Sequence, residues 1–252
     1  MLKNFERILL SVLLLMCLLF SYTLSQELSI YDEGLKILQT YISIDTTNPP
    51  GNEMKTALFL KKILDREGIE NQIFDLGNNR ANLFAILKGD GSKKPVILLH
   101  HMDVVPADAE YWTVPPFSGE IIDGKIYGRG AVDMKAKGII DLMTVINLKR
   151  QNVPLKRDII LLAVSDEEVG SLGSIWMVEN KSDLIKGAEF LLDEGGYTVT
   201  DNKGNILYYM VTIGEKAPLW LTLTFTGTPG HGSIPVEDSS VNRAVRAANR
   251  LL

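Results

Sequence analysis

Short apolar runs alternate with amphipathic stretches through the middle of the chain. The apolar runs lie at Leu83–Leu87, Val96–Leu99, Ile159–Val164 and Phe190–Leu192. Runs of this length are typical of strands buried on both faces, as in a parallel sheet that is covered by helices. Helix-like stretches at Lys135–Arg150 and Ser174–Ile185 separate the last three runs. The pattern predicts an α/β fold, a three-layer α/β/α sandwich with a mostly parallel central sheet.

The pattern changes on either side of this region. Between residues 30 and 68 apolar residues recur at helical spacing, and the turn at Asn48–Asn52 divides the segment into two helices. From Leu219 to Phe225 apolar residues alternate with polar ones, which predicts a strand with one buried face. Ser239 is placed to cap a final helix that runs through Leu252. We therefore predict one domain at 26–214 and the start of a smaller α+β domain at 215–252.

The first 25 residues have the pattern of a secretory signal peptide. Lys3 and Arg7 precede an apolar run at Ile8–Phe20, and small residues near Ser25 suit cleavage. The run is shorter than the about 20 apolar residues that a membrane span needs, although an uncleaved signal anchor is an alternative. The single cysteine, Cys17, lies within this run, so the mature protein would have neither a disulfide nor a thiol nucleophile. We expect a secreted protein without stable membrane association after cleavage.

Composition and charge narrow the class of function only slightly. A hydrophobic share of 46% over 252 residues provides enough apolar material for a globular core. The formal net charge is −5, and no dense block of Lys and Arg occurs. Both observations argue against nucleic acid as a partner.

Acidic and imidazole side chains follow the buried runs where the predicted strands end. These polar segments are His100–Asp103, Ser165–Glu168 and Asp193–Glu194, together with Gly128–Asp133, which precedes the helix-like stretch at Lys135–Arg150. Ligands of open α/β sheets bind outside the carboxyl ends of the strands, so the four segments are expected at one edge. Carboxylates at such close range repel one another unless a cation neutralises them. A mixture of His and carboxylate donors without cysteine suits Zn²⁺ or a similar divalent ion.

Strand geometry separates the roles of two neighbouring histidines. Residues two apart on a strand point to the same face, so His101 and Asp103 share a face and His100 points away. We interpret His101 as a metal ligand and Asp103 as the group that holds its other ring nitrogen. We interpret His100 as a histidine packed in the core.

Four sequence motifs follow one another in a recognisable order. They are His101–Pro106, Trp112 with Pro116–Gly119, Tyr127–Lys135 and Asp166–Gly170. An isolated Asp-Glu-Glu is most often a solvated turn, so the specific evidence is the order and spacing of all four motifs. Together they resemble the co-catalytic zinc metallopeptidase family of glutamate carboxypeptidase, aminoacylase, carnosinase, succinyl-diaminopimelate desuccinylase and carboxypeptidase S. The resemblance extends from Ile30 to Leu252 and looks closest to the carboxypeptidase S and N-acyl-amino-acid hydrolase branch.

The resemblance implies a site for two divalent metal ions, Zn²⁺ in the first instance, with Co²⁺ or Mn²⁺ as alternatives. The implied metal ligands are His101, Asp133, Glu168 and Asp193. Asp133 would bridge both ions and would be followed by a non-proline cis peptide bond. Glu167 would act as the general base, and Asp103 would lie behind His101.

The resemblance also gives a role to His231 in the second domain. In the family a histidine of the lid or dimerisation domain reaches the substrate carbonyl, often across a homodimer interface. The alternative is a turn histidine on an exposed loop. The domain at 26–214 would be catalytic, and the segment at 215–252 would begin the lid.

One feature departs from the family pattern. A final histidine ligand of the second metal is implied late in the catalytic domain, yet no histidine follows His231. We therefore expect the sequence to be a fragment or a truncated version of a longer protein.

The expected activity is hydrolysis of an amide bond in a short peptide or an N-acyl amino acid. Two alternatives stay open: an inactive or truncated metal-binding homologue that serves as a dimerisation or binding module, and an aminopeptidase of a related zinc fold.

Overall fold

The structure is a computed structural model that describes residues 30–214, 221–234 and 236–251. It forms two compact units that divide after Gly195. The predicted domain boundary after residue 214 stays a prediction, and the predicted signal peptide at 1–25 lies outside the described residues. Among the helices that the structure describes, none combines the length and apolar character needed to cross a membrane.

The first unit contains the predicted alternation of strands and helices. Its helices are α1 (30–43), α2 (Glu53–Arg66), α3 (Lys135–Arg150), α4 (Leu172–Asn180) and α5 (Ser182–Ile185). Its strands are β1 (Glu70–Gly77), β2 (Arg80–Leu87), β3 (Val96–His101), β4 (Ile121–Ile122), β5 (Lys125–Ile126), β6 (Ile159–Val164) and β7 (Phe190–Leu192).

The central sheet has the strand order β1-β2-β6-β3-β7. β3 pairs in parallel with both β6 and β7, whereas β2 pairs antiparallel with β1 and β6. Four of the five strands therefore run in the same direction, which confirms the mostly parallel sheet. β2 is buried on both faces although it is antiparallel, because Leu83 and Ala85 pack in one apolar core and Phe84 and Ile86 pack in the other. An apolar run thus predicted this strand but could not predict its direction.

Alternate residues of β6 belong to two different apolar cores. Leu161 and Ala163 pack with buried residues of α1, α2 and α3 on one face of the sheet. Leu162 and Val164 pack with Met177 of α4 on the other face. Each fully buried Leu, Val or Met side chain of this kind contributes about 1.5–3 kcal/mol. The two cores confirm the three-layer α/β/α arrangement.

Helix α3 has the predicted bounds, but two other elements differ from the prediction. The stretch predicted as one helix at Ser174–Ile185 is two helices, because Lys181 leaves the helical conformation with φ −137° and ψ 30°. Strand β1 was not predicted from the sequence pattern. Only Phe74 of this strand is buried, so an edge strand of this kind leaves a weak hydrophobic signal in the sequence.

The second unit contains β8 (Thr198–Thr200), β9 (Ile206–Tyr209) and α6 (Ser240–Leu251). Ser239 caps α6 as predicted, since its Oγ accepts the backbone N–H of Asn242 at 3.2 Å. Residues 219 and 220 of the predicted strand lie outside the described residues, and residues 221–225 form no strand. Alternation predicts which face a strand would bury, but the strand itself forms only where a neighbour completes its hydrogen bonds.

Arg150, the last residue of α3, joins the ends of two other helices. Its Nη1 donates to Glu33 of α1 at 2.7 Å, and its Nη2 donates to Glu67 after α2 at 2.7 Å. These hydrogen bonds are the main reason why the pKa of each glutamate lies below its usual value. Arg150 is partly exposed, so solvent screens the interaction.

We expect Arg150→Gln to lower the free energy of unfolding by about 1 kcal/mol at pH 7. Because the folded pKa values of both glutamates are lowered, their contribution is fully present above the unfolded pKa of about 4.3 and is lost as the pH falls through the lower folded pKa values. Urea unfolding at pH 7 and at about pH 3.5 checks this. The exposed neighbour Lys149, changed to Gln, is the control. A destabilisation that is equal at both pH values would contradict the assignment.

Candidate active site

The carboxyl ends of three parallel strands bring polar side chains to one edge of the sheet. His101, the last residue of β3, lies opposite Val164 at the end of β6. Leu98 of β3 lies opposite Leu192, the last residue of β7. The segments that follow β6 and β7 therefore leave the sheet close to His101, as expected for a ligand site in an open α/β sheet.

His101 lies at the centre of this group and has only 1% of its side chain exposed. Its Nε2 is 2.9 Å from Oδ1 of Asp133, 3.6 Å from Oε2 of Glu194 and 3.9 Å from Oε2 of Glu167. The three carboxylates are about half exposed, so the group opens to solvent above a buried imidazole. A substrate could therefore approach it from that side.

A hydrogen bond fixes which nitrogen of His101 faces the carboxylates. Nδ1 lies 2.9 Å from the backbone carbonyl oxygen of Asp103, and a carbonyl can only accept. Nδ1 therefore carries a proton, and Nε2 is the nitrogen that a metal could bind. The carboxylate of Asp103, predicted to make this contact, lies farther away, with Oδ1 at 3.5 Å.

The donor set at the edge fits a divalent cation. One ligand atom each from His101, Asp133 and Glu194 lies within 4.8 Å of the other two, close enough to contact one ion. Imidazole nitrogen and carboxylate oxygen are ligands that Zn²⁺ accepts.

The electrostatics of the edge also favour a cation. Burial and then the Asp133 carboxylate raise the pKa of both Glu168 and Glu194. Burial disfavours the charged form of His101, but Asp103 and the other carboxylates outweigh it and raise the pKa of His101 to about 10. Without an added ion, the imidazolium is thus the charge that compensates these carboxylates. A divalent ion would replace its Nε2 proton.

Two of the four predicted metal ligands come together in the structure, and two lie outside the group. His101 and Asp133 come together as expected, and the peptide bond after Asp133 is cis, as the resemblance implies. Glu168 and Asp193 are not part of the three-residue group within the described residues, and their roles as ligands stay predictions. Glu194 was missed. It directly follows Asp193 after β7, and sequence alone does not fix which of two adjacent acids turns toward His101.

The other predicted residues also have definite positions. His100 is fully buried beside Tyr41, whose Oη lies 3.1 Å from its Nε2, and burial lowers the pKa of His100 to about 3. It is a packed core histidine, as predicted. His231 lies in an exposed turn of the second unit with its Nδ1 2.8 Å from Oγ of Ser233, and its role stays a prediction.

Residues 97–249 match Peptidase family M20/M25/M40, and this span is more than half of the 252 residues. The chain belongs to this family.

Relatives of this M20 chain include acylase-type enzymes. It is 33% identical to Aminoacylase-1 of Sus scrofa over 222 residues, which are 87% of this chain and 53% of that protein. It is 37% identical to the N-fatty-acyl-amino acid synthase/hydrolase of Xenopus tropicalis over 175 residues, 68% of this chain and 34% of that protein. The chain thus spans about half the length of the first of these relatives.

A solved structure supports the same fold. The M20 family metallo-carboxypeptidase of Sulfolobus solfataricus is similar to this chain with a TM-score of 0.60 and 27% identity. The similarity covers 68% of this chain and 39% of the archaeal one.

The geometry predicts that Glu194, rather than Asp193, binds the ion held by His101 and Asp133. We expect Glu194→Gln to weaken Zn²⁺ binding by about 10-fold or more, since even indirect partners of a metal contribute that much. The matched variant Asp193→Asn should have a smaller effect. Isothermal titration of each variant with Zn²⁺ measures the affinities. The reverse order would identify Asp193 as the ligand, in agreement with the family resemblance.

Proposed function

We propose that the complete protein is a metal-dependent hydrolase that cleaves the amide bond of an N-acyl amino acid or a short peptide. The observation that carries this proposal is the position of Glu167. Its half-exposed carboxylate lies 3.9 Å from the same His101 nitrogen that a metal would bind. A free carboxylate beside a metal ligand is in position to act on a water molecule in the site.

The proposed ions are two Zn²⁺, with Co²⁺ or Mn²⁺ as alternatives. His101, Asp133 and Glu194 would hold one ion, and Asp133 with Glu168 would contribute to the second. A divalent ion here supplies a Lewis acid, which polarises the scissile carbonyl and makes water more acidic.

Glu167 has the properties that a general base requires. Burial raises its pKa above the usual value, although His101 opposes this shift, so its affinity for a proton is greater than that of an ordinary surface glutamate. It would remove a proton from the attacking water and later transfer it to the leaving nitrogen. Its exposure leaves room for water and substrate beside it.

The relatives favour N-acyl amino acids as the substrate class. Aminoacylase-1 and the N-fatty-acyl-amino acid synthase/hydrolase both carry this chemistry in their names. We therefore propose an N-acyl amino acid with a free carboxylate, ahead of a dipeptide. Secretion through the predicted signal peptide, a homodimer formed through the lid domain, and contact of His231 with the substrate are further parts of this proposal.

We expect Glu167→Gln in the complete protein to retain its metal content and to lower kcat by about 10²–10⁴-fold, the usual contribution of a general base. Metal analysis and hydrolysis of a panel of N-acyl amino acids and dipeptides measure both quantities. The exposed Glu179, changed to Gln, is the control.

Near-normal turnover of Glu167→Gln would remove Glu167 from the role of base. A metal-loaded natural protein that hydrolyses no member of the panel would instead favour a metal-binding module.

A further inference from the structure

A buried cluster of charged and polar side chains lies directly behind the candidate base. Its members are Asn48, Glu53, Arg80, Asp103 and Asp166, which come from four separate parts of the chain. The side chains of Glu53 and Asp103 are fully buried, and Arg80 has 14% of its side chain exposed. Buried carboxylates are unfavourable unless each is paired and hydrogen-bonded, so the cluster depends on its cation.

Arg80 contacts three members of the cluster through one guanidinium group. Its Nη1 lies 2.9 Å from Oε1 of Glu53 and 2.9 Å from Oδ1 of Asp166. Its Nη2 donates to Oδ1 of Asn48 at 2.8 Å. The planar guanidinium satisfies these acceptors in fixed directions, which the ammonium group of a lysine cannot reproduce.

The bond from Arg80 determines how the amide of Asn48 is oriented. With its oxygen facing the guanidinium, the amide directs its Nδ2 toward two carboxylates. Nδ2 donates to Oδ2 of Asp103 at 2.7 Å and to Oδ1 of Asp166 at 2.9 Å. The opposite orientation would place an amide oxygen against two carboxylates, so Arg80 and both acids specify the same arrangement.

Asp103 in turn holds the backbone of the candidate base. Its Oδ1 accepts the N–H of Glu167, and its Oδ2 accepts the N–H of Glu168, each at 3.1 Å. Asn48 therefore contacts the same carboxylate that fixes this turn after β6. Asp166, the first residue of the turn, has a left-handed backbone with φ 65° and is held by both Asn48 and Arg80.

We propose that Arg80 is a positioning residue for the base. Through Asn48 it orients the Asp103 carboxylate, which fixes the backbone from which the Glu167 side chain reaches the site. This inference rests on the proposed function. The alternative role of Arg80 is charge compensation, in which any cation at this position would suffice.

The test is Arg80→Lys, which keeps the positive charge but loses the planar guanidinium and its fixed hydrogen-bond directions. We expect kcat of the complete protein to fall by about 10- to 100-fold, the effect typical of groups that orient a metal site, with little change in KM. The absorption spectrum of the Co²⁺-loaded protein should also change, because Glu168 shares the same hydrogen-bonded turn. Arg157→Lys is the matched control, since Arg157 also pairs with a glutamate but precedes β6 at the opposite edge of the sheet.

Asn48→Ala provides a second test that leaves the ion pair between Arg80 and Glu53 in place. We expect the same loss of kcat and the same spectral change, and this variant decides the question if Arg80→Lys does not fold. Unchanged kcat and an unchanged Co²⁺ spectrum in the folded variants would overturn the inference. If the natural protein hydrolyses nothing, the proposed function fails, and the Co²⁺ spectrum alone then decides the role of Arg80.

Discussion

The repulsion among the carboxylates around His101 is the interaction on which the rest of the site depends. Asp133, Glu167 and Glu194 all lie within 3.9 Å of one imidazole nitrogen. A compensating cation stabilises such a group; this cation is the His101 imidazolium in the absence of metal and a divalent ion in its presence. Burial, and after it the neighbouring carboxylates, raise the pKa of Glu167 and Glu194, so part of the capacity for proton transfer comes from the same crowding that favours a cation.

The fold supports this arrangement at two levels. The parallel strands β3, β6 and β7 deliver His101 and the acidic segments to one edge, and two apolar cores hold the sheet from both faces. Behind the edge, the Asp103 carboxylate binds the backbone of Glu167 and Glu168 and is itself held by Asn48. The reactive side chains can thus be half exposed while the atoms that position them are buried.

Much of this architecture could be predicted from the sequence, because apolar runs and strand-end acids are local signals. The buried strands, α3 and the inward orientation of His100 follow from such signals, whereas the pairing of His101 with Asp133 was implied by the motif resemblance. The direction of β2 and the edge strand β1 could not, since neither changes the burial pattern enough. The position of Glu194 beside His101 and the contacts of Arg80 depend on how loops turn and on contacts between distant segments.

Anomalous diffraction from crystals of the chain grown with Zn²⁺ tests the central claim most directly. We expect an ion within about 2.0–2.2 Å of Nε2 of His101 and of carboxylate oxygens of Asp133 and Glu194. Stoichiometric Zn²⁺ bound elsewhere, with the His101 imidazole still hydrogen-bonded to Asp133, would contradict it.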